Sequence, residues 1–308
     1  MRISILEQIS ILLHYIKPLC HNFQIRSEKG NHKPVILNIL VTAFIIYSAY
    51  LILLYFAQRA LIFPGRSIGP KQFQTEWISE EQINWIDTPA GRIETWFIPS
   101  NKNDSLHQGN PVVIFAHGNF ELIDYCEVET RGLNNLGYNV FLIEYPGFGR
   151  SKGETSRETI NAVYMAAYDW LISNKNGNPD QIIGFGRSLG GGAISDLAEK
   201  RALAAVILQS TFADVKSFAK RYLAPAFLTR DPFDNVEALK NYSNPVLIIH
   251  GRQDALIPFW HGETIYKNIL HSEFVAYDCE HNDCPPDWDA YWKMIDRFIK
   301  DAVKITSN

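Results

Sequence analysis

The chain has 308 residues, 46% of them hydrophobic and 20% charged, with a net charge of −4. This mixture excludes collagen, low-complexity disorder and a coiled coil, and a mean hydropathy of −0.11 argues against a polytopic membrane protein. The acidic balance is the wrong sign for a nucleic-acid binder, so no such partner is expected.

Residues 1–34 form an N-terminal segment whose first part, Met1 to Leu19, is partly apolar but broken by Glu7, Gln8, His14 and Lys17. It reads as an interfacial helix rather than a span. Residues 35–58, VILNILVTAFIIYSAYLILLYFAQ, carry no charge. At 1.5 Å per residue they are long enough to cross a hydrocarbon core of about 30 Å, so one transmembrane helix and a single-pass membrane protein are expected. A buried core helix is the alternative. A cleaved signal peptide fits poorly, since the run is too long and starts too late. Lys17, Arg26, Lys29 and Lys33 precede the span and Arg59, Arg66 and Lys71 follow it. That asymmetry favours an internal N-terminus with the C-terminal part outside.

Residues 59–308 alternate strand and helix. Gln82–Asp87 and Arg92–Ile98 flank Pro89-Ala90-Gly91 and read as a β-hairpin. Continuous apolar runs follow at 112–116, 140–143, 182–185, 205–208 and 246–249, with a last strand at 273–277. Such runs suit strands covered on both faces of a parallel sheet. Helical stretches lie between them at 156–174, 189–200 and 259–270, and 287–303 closes the chain. The class is α/β: an open, mostly parallel sheet with helices on both faces. Ligands in such sheets sit at the carboxyl ends of the strands.

The loop after the 182–185 strand reads Gly186-Arg187-Ser188-Leu189-Gly190. Glycines at 186 and 190 relieve the crowding of a sharp strand-to-helix turn, a nucleophile elbow that presents Ser188 at a helix N-terminus. A Gly-rich turn with Ser188 as an N-cap is the plain alternative. A serine nucleophile needs a base, and the base needs an orienting acid. Asp254, in the turn after the 246–249 strand, is the candidate acid, with Asp214 its competitor. His281, in the loop after the last strand, is the candidate base. For the oxyanion, the backbone N–H of Leu189 and that of Asn119, in Ala116-His117-Gly118-Asn119-Phe120, are the candidate donors. His117 is assigned to bracing that loop, and His261 to a surface helix.

The four cysteines are Cys20, Cys126, Cys279 and Cys284. No Cys-x-x-Cys or His-Glu-x-x-His occurs, so no metal and no cofactor are expected. Cys279 and Cys284 read as unpaired thiols, a local disulfide being the alternative in an oxidising compartment.

His117-Gly118-Asn119, Tyr145-Pro146-Gly147-Phe148-Gly149-Arg150-Ser151, Gly186-Arg187-Ser188-Leu189-Gly190-Gly191 and Gly251-Arg252-Gln253-Asp254 together resemble α/β-hydrolases. With Leu61-Ile62-Phe63-Pro64-Gly65 just past the span, they are more narrowly similar to the membrane-anchored group. That group includes Bem46-like proteins and depalmitoylating and monoacyl-lipid abhydrolase-domain proteins. The resemblance covers about residues 58–303. It implies an eight-stranded sheet whose second strand is antiparallel, and hydrolysis of esters, thioesters or amides.

The insertion at 210–244 is too short for a large cap, which implies a shallow, open site. Its Phe212, Phe218, Tyr222, Leu223, Phe227 and Leu228 read equally as an acyl groove or as the packing face of a helix. The expected activity is that of a membrane-anchored serine hydrolase acting on carboxylic esters or thioesters. Its substrate partners would be acyl lipids or acylated protein. A peptidase or amidase on the same scaffold and a non-catalytic tethered interaction module are the competing readings.

Overall fold

A computed structural model describes residues 33–69, 77–100, 110–175 and 177–306. The interfacial helix expected within residues 1–34 lies outside them. Contact density divides the chain into a unit ending at Ile52 and a unit running from Leu53 to Asn308.

Helix α1, Lys33–Ile62, contains the apolar stretch. Val35–Ile62 has a mean hydropathy of 2.3 and no residue of its apolar window is buried in the protein, which a soluble core helix would require. The helix is long and apolar enough to cross a membrane. It runs past the expected end at 58 and stops at Phe63, whose backbone (φ −120°, ψ 56°) is pushed out of the helical region by Pro64.

Besides short 3-10 turns, the further described strands and α-helices are β1 (Ile83–Thr88), β2 (Gly91–Ile98), β3 (Val112–Ala116), α2 (Glu127–Leu136) and β4 (Asn139–Ile143). They continue with α3 (Arg157–Lys175), β5 (Ile182–Arg187), α4 (Leu189–Lys200) and β6 (Ala205–Gln209). Then come α5 (Asn235–Leu239), β7 (Val246–Gly251), α6 (Trp260–Asn268), β8 (Ser272–Tyr277) and α7 (Trp288–Thr306). The strands form one eight-stranded sheet in the order β1-β2-β4-β3-β5-β6-β7-β8. β2 runs antiparallel to both its neighbours, and every pairing from β4 to β8 is parallel. This is the α/β-hydrolase fold, with the antiparallel second strand that the resemblance implied.

Successive side chains of a strand point to opposite faces. Ile114, Phe141, Ile182, Val206 and Ile248 therefore pack on one side with Val163, Tyr164 and Leu171 of α3 and Ile194 of α4. Val113, Phe115, Leu142, Phe185, Ile207 and Ile249 pack on the other with Leu133 of α2 and Tyr291, Ile295, Phe298 and Ile299 of α7. The spacing in α7 places those four on one face. Helix α2 is an element that hydrophobic periodicity did not reveal: in EVETRGLNNL only Thr130, Leu133 and Asn134 are buried, too few for a clear apolar stripe.

The aromatics of the 210–244 segment differ in their surroundings. Phe212 and Phe233 are buried in the core, Phe218 stacks on His261 with 4.9 Å between ring centres, and Phe227 is 83% exposed.

Candidate active site

Ser188 joins β5 to α4 with φ 53° and ψ −116°, a left-handed backbone that a non-glycine residue adopts at a cost. Hydrogen bonds at both its backbone groups hold that conformation. The Ser188 N–H donates to the Gln209 carbonyl at 2.9 Å, and the Ser188 carbonyl accepts from the Thr211 hydroxyl at 2.7 Å. The two glycines are required by space. A Cβ at Gly190 would lie 2.0 Å from the Ala116 carbonyl oxygen, and one at Gly186 2.4 Å from that of Gly190.

Asp254 is buried, three residues past the end of β7, rather than solvated. Its Oδ1 accepts the Leu256 and Ile257 N–H groups at 2.9 and 2.7 Å, and its Oδ2 accepts from His281 Nδ1 at 2.7 Å. The opposite ring nitrogen, Nε2, lies 3.2 Å from Ser188 Oγ. With Nδ1 carrying the proton donated to Asp254, Nε2 is left as an acceptor for the serine hydroxyl. Ser188, Asp254 and His281 are thus one hydrogen-bonded line. The competing acid, Asp214, instead caps its own turn by accepting the Ser217 N–H at 2.7 Å.

The loop after β3 lies beside Ser188, since a Cβ at Gly118 would be 3.8 Å from that of Ser188. Leu189 opens α4, so its N–H has no acceptor within the helix. The Asn119 side-chain amide donates to the Ile62 carbonyl and the Asn119 backbone carbonyl accepts from the Gly65 N–H, both at 2.9 Å.

His117 braces this loop from below, as expected. Its Nε2 donates to Glu144 at 2.9 Å and its Nδ1 to the Gly118 carbonyl at 2.8 Å. Burial opposes a charge on the ring, but Glu144 outweighs it and holds the pKa above the ordinary histidine value. Glu121 was not singled out from the sequence. It accepts the Gly118 N–H and pairs with Arg187, the residue before Ser188, which also pairs with Glu129 at 3.1 Å. Although burial works against its charge, Arg187 and His117 hold the Glu121 carboxyl below its usual range. Its only sequence signal was its place between the two oxyanion candidates and an Arg in the elbow.

Two expectations are corrected. Cys279 and Cys284 are bonded, not free: the loop reverses between them and brings their Cα atoms to 5.5 Å, within disulfide reach. The bond closes the loop that carries His281. His261 is buried, not superficial. Its Nδ1 accepts the Ala213 N–H at 3.1 Å, and burial lowers its pKa to about 4. His250, to which no role had been given, donates from Nε2 to the Ile257 carbonyl at 2.8 Å and lies 3.6 Å from Asp254 Oδ2. A separate surface recess, lined among others by Glu199, Leu203, Glu237 and Asn244, lies at the opposite end of α4 from Ser188 and holds none of these groups.

The family described as serine aminopeptidase, S33 matches residues 108–229. The chain is 29% identical over 234 residues to the uncharacterized protein YfhR of Escherichia coli K12, covering 73% of this chain and 82% of that one. It is 27% identical over 206 residues to the lysophosphatidylserine lipase ABHD12 of Rattus norvegicus, covering 59% of this chain and 50% of the lipase. In three dimensions it resembles the Pyrococcus furiosus esterase Pf2001, with a TM-score of 0.60 and 18% identity, over 76% of this chain and 97% of the esterase.

Proposed function

Since the chain is an α/β-hydrolase superfamily protein with abhydrolase-domain relatives, we propose that it is a membrane-anchored serine hydrolase that cleaves esters or thioesters of acyl chains. The observation that carries this reading is the unbroken line Asp254–His281–Ser188, with contacts of 2.7 and 3.2 Å.

Ser188 Oγ attacks the acyl carbonyl carbon as His281 Nε2 takes the hydroxyl proton. Asp254 fixes the ring and stabilises the imidazolium. The N–H groups of Asn119 and Leu189 hold the oxyanion, each such donor being worth about 3 kcal/mol in the transition state. Collapse breaks the bond to the alcohol or thiol, which leaves with the proton from His281. Water, deprotonated by the same nitrogen, then attacks the acyl-enzyme, releasing the acid and restoring Ser188.

Helix α1 is the anchor in this reading. The Cys279–Cys284 bond suits an oxidising compartment, in keeping with flanking charges that favour the C-terminal domain outside. The name of the rat relative favours acyl lipids as substrates, and acylated protein remains the second class. The matched family's description favours an amidase or peptidase as the other reading.

The test is labelling of the full chain by a fluorophosphonate probe, followed by a panel of acyl esters, thioesters and aminoacyl amides. Labelling of the wild type and none of Ser188→Ala is expected, with esters or thioesters turned over fastest. A folded wild-type protein that stays unlabelled overturns the mechanism, and a preference for amides overturns the substrate class.

A further inference from the structure

The exit of α1 is tied directly to the 210–244 insertion and to the loop after β3, which lies beside Ser188. On one side, Gln58 Nε2 donates to the Leu228 carbonyl at 2.9 Å, the Arg230 N–H donates to Gln58 Oε1 at 3.0 Å, and Arg59 pairs with Asp231 at 2.9 Å. On the other, Asn119 Nδ2 donates to the Ile62 carbonyl at 2.9 Å. On each side a large exposed apolar side chain stands next to a contact residue in the chain. Phe227, before Leu228, is 83% exposed, and Phe120, after Asn119, is 68% exposed. Leu223 and Leu61 are exposed as well. The charge here is also one-sided. Residues 216–230 hold Lys216, Lys220, Arg221 and Arg230 and no acidic residue, in a chain of net charge −4. Lys216, Lys220 and Arg221 are exposed.

Apolar tips among exposed cations at the foot of a membrane-length helix match the chemistry of an anionic bilayer surface. We propose that the face made by residues 216–230, Phe120 and Leu61 is seated on anionic lipid, with Phe227 and Leu223 entering the acyl layer. The site beside Ser188 then takes acyl substrates lifted from the bilayer rather than from water. This rests on the anchoring reading above and adds to it the surface, the lipid charge and the route of the substrate.

The experiment uses the full chain in a Cys20→Ser background, reconstituted into vesicles of phosphatidylcholine with and without phosphatidylglycerol. An environment-sensitive fluorophore is attached at Phe227→Cys or Leu223→Cys, and at Arg297→Cys on α7 as the reference. Quenching by lipid-borne spin labels at 227 and 223 but not at 297, stronger with phosphatidylglycerol, is expected. In unlabelled protein, Lys220→Glu with Arg221→Glu lowers the ratio of vesicle-borne to soluble short-chain ester hydrolysis about tenfold. Labels at 227 and 223 as unquenched as at 297, on protein that floats with the vesicles, overturn the seating alone. Protein that floats with neither vesicle overturns the anchor and the seating together. Quenching without any hydrolysis supports the seating while removing the enzyme.

Discussion

The side-chain amide of Asn119 donates to the backbone carbonyl of Ile62, the last residue of α1, at 2.9 Å. A loop that supplies a proposed oxyanion donor is therefore held by the end of the membrane-length helix. Asn119→Ala keeps the backbone N–H but frees the loop from Ile62. Its kcat is expected to fall about tenfold, since small misplacement of a catalytic group is costly. KM changes less, and flotation with vesicles is retained. Steady-state kinetics on a soluble ester checks this.

In the proposed mechanism, His281→Gln takes the base from the serine and Asp254→Asn takes the orienting acid from the base. Each is expected to lower kcat by about 10⁴-fold, and the double variant by little more, because the residues act as a unit. Burst-phase and steady-state kinetics separate this from a loss of substrate binding.

Gly190→Ala forces a Cβ against the Ala116 carbonyl, which strand pairing of β3 with β5 keeps from moving. A loss of about 3 kcal/mol or more of stability is expected, together with loss of probe labelling. Gly69→Ala, whose Cβ meets nothing within 4 Å, is the control, and is expected to stay within about 0.5 kcal/mol. Denaturant melts of the solubilised protein measure both.

Reduction of Cys279–Cys284 by a dithiol adds two hydrogens and frees the loop that holds His281. Hydrolysis is expected to fall about tenfold and to return on reoxidation. Cys284→Ser is expected to show the lower rate from the outset and no further response to the dithiol. Rates with and without dithiothreitol, in wild type and variant, test this.

Burial lowers the His261 pKa from 6.5 to about 4. Between those values the unfolded chain binds a proton that the folded chain does not, so stability present above pH 6.5 is lost as pH falls. His250, lowered by burial too, adds in the same direction. His117 acts oppositely, its stabilisation being full below 6.5 and lost as pH rises through its raised folded pKa. His261→Asn keeps an acceptor for the Ala213 N–H but cannot titrate. The decline of its melting temperature from about pH 7 to about pH 5 is expected to be shallower than that of the wild type.

The strands that crossed the middle of the sheet were legible because both their faces are buried, which leaves an uninterrupted apolar run such as Val112 to Ala116. Ser188 was legible because the positions two before and two after it must be glycine, and His281 because its loop holds no other histidine. Helix α2 was not, because it buries only three residues. Glu121 and Arg187 were not, because a single pair across loops 66 positions apart leaves no local pattern.

By itself, the order of residues determined the membrane-length apolar helix, the alternation of strand and helix, the glycine-bounded serine, and the chain order of the candidate nucleophile, acid and base. These are local, since hydrophobic period and backbone crowding act over a few residues. Tertiary structure alone decided that Asp254 and not Asp214 reaches His281, and that Cys279 meets Cys284. It also buried His261 and His250, and fixed the end of α1 against Asn119 and the 216–230 segment. Each of these is a pairing of groups whose partners are chosen by which strand ends lie side by side, and that choice is made by burying the two faces of one sheet.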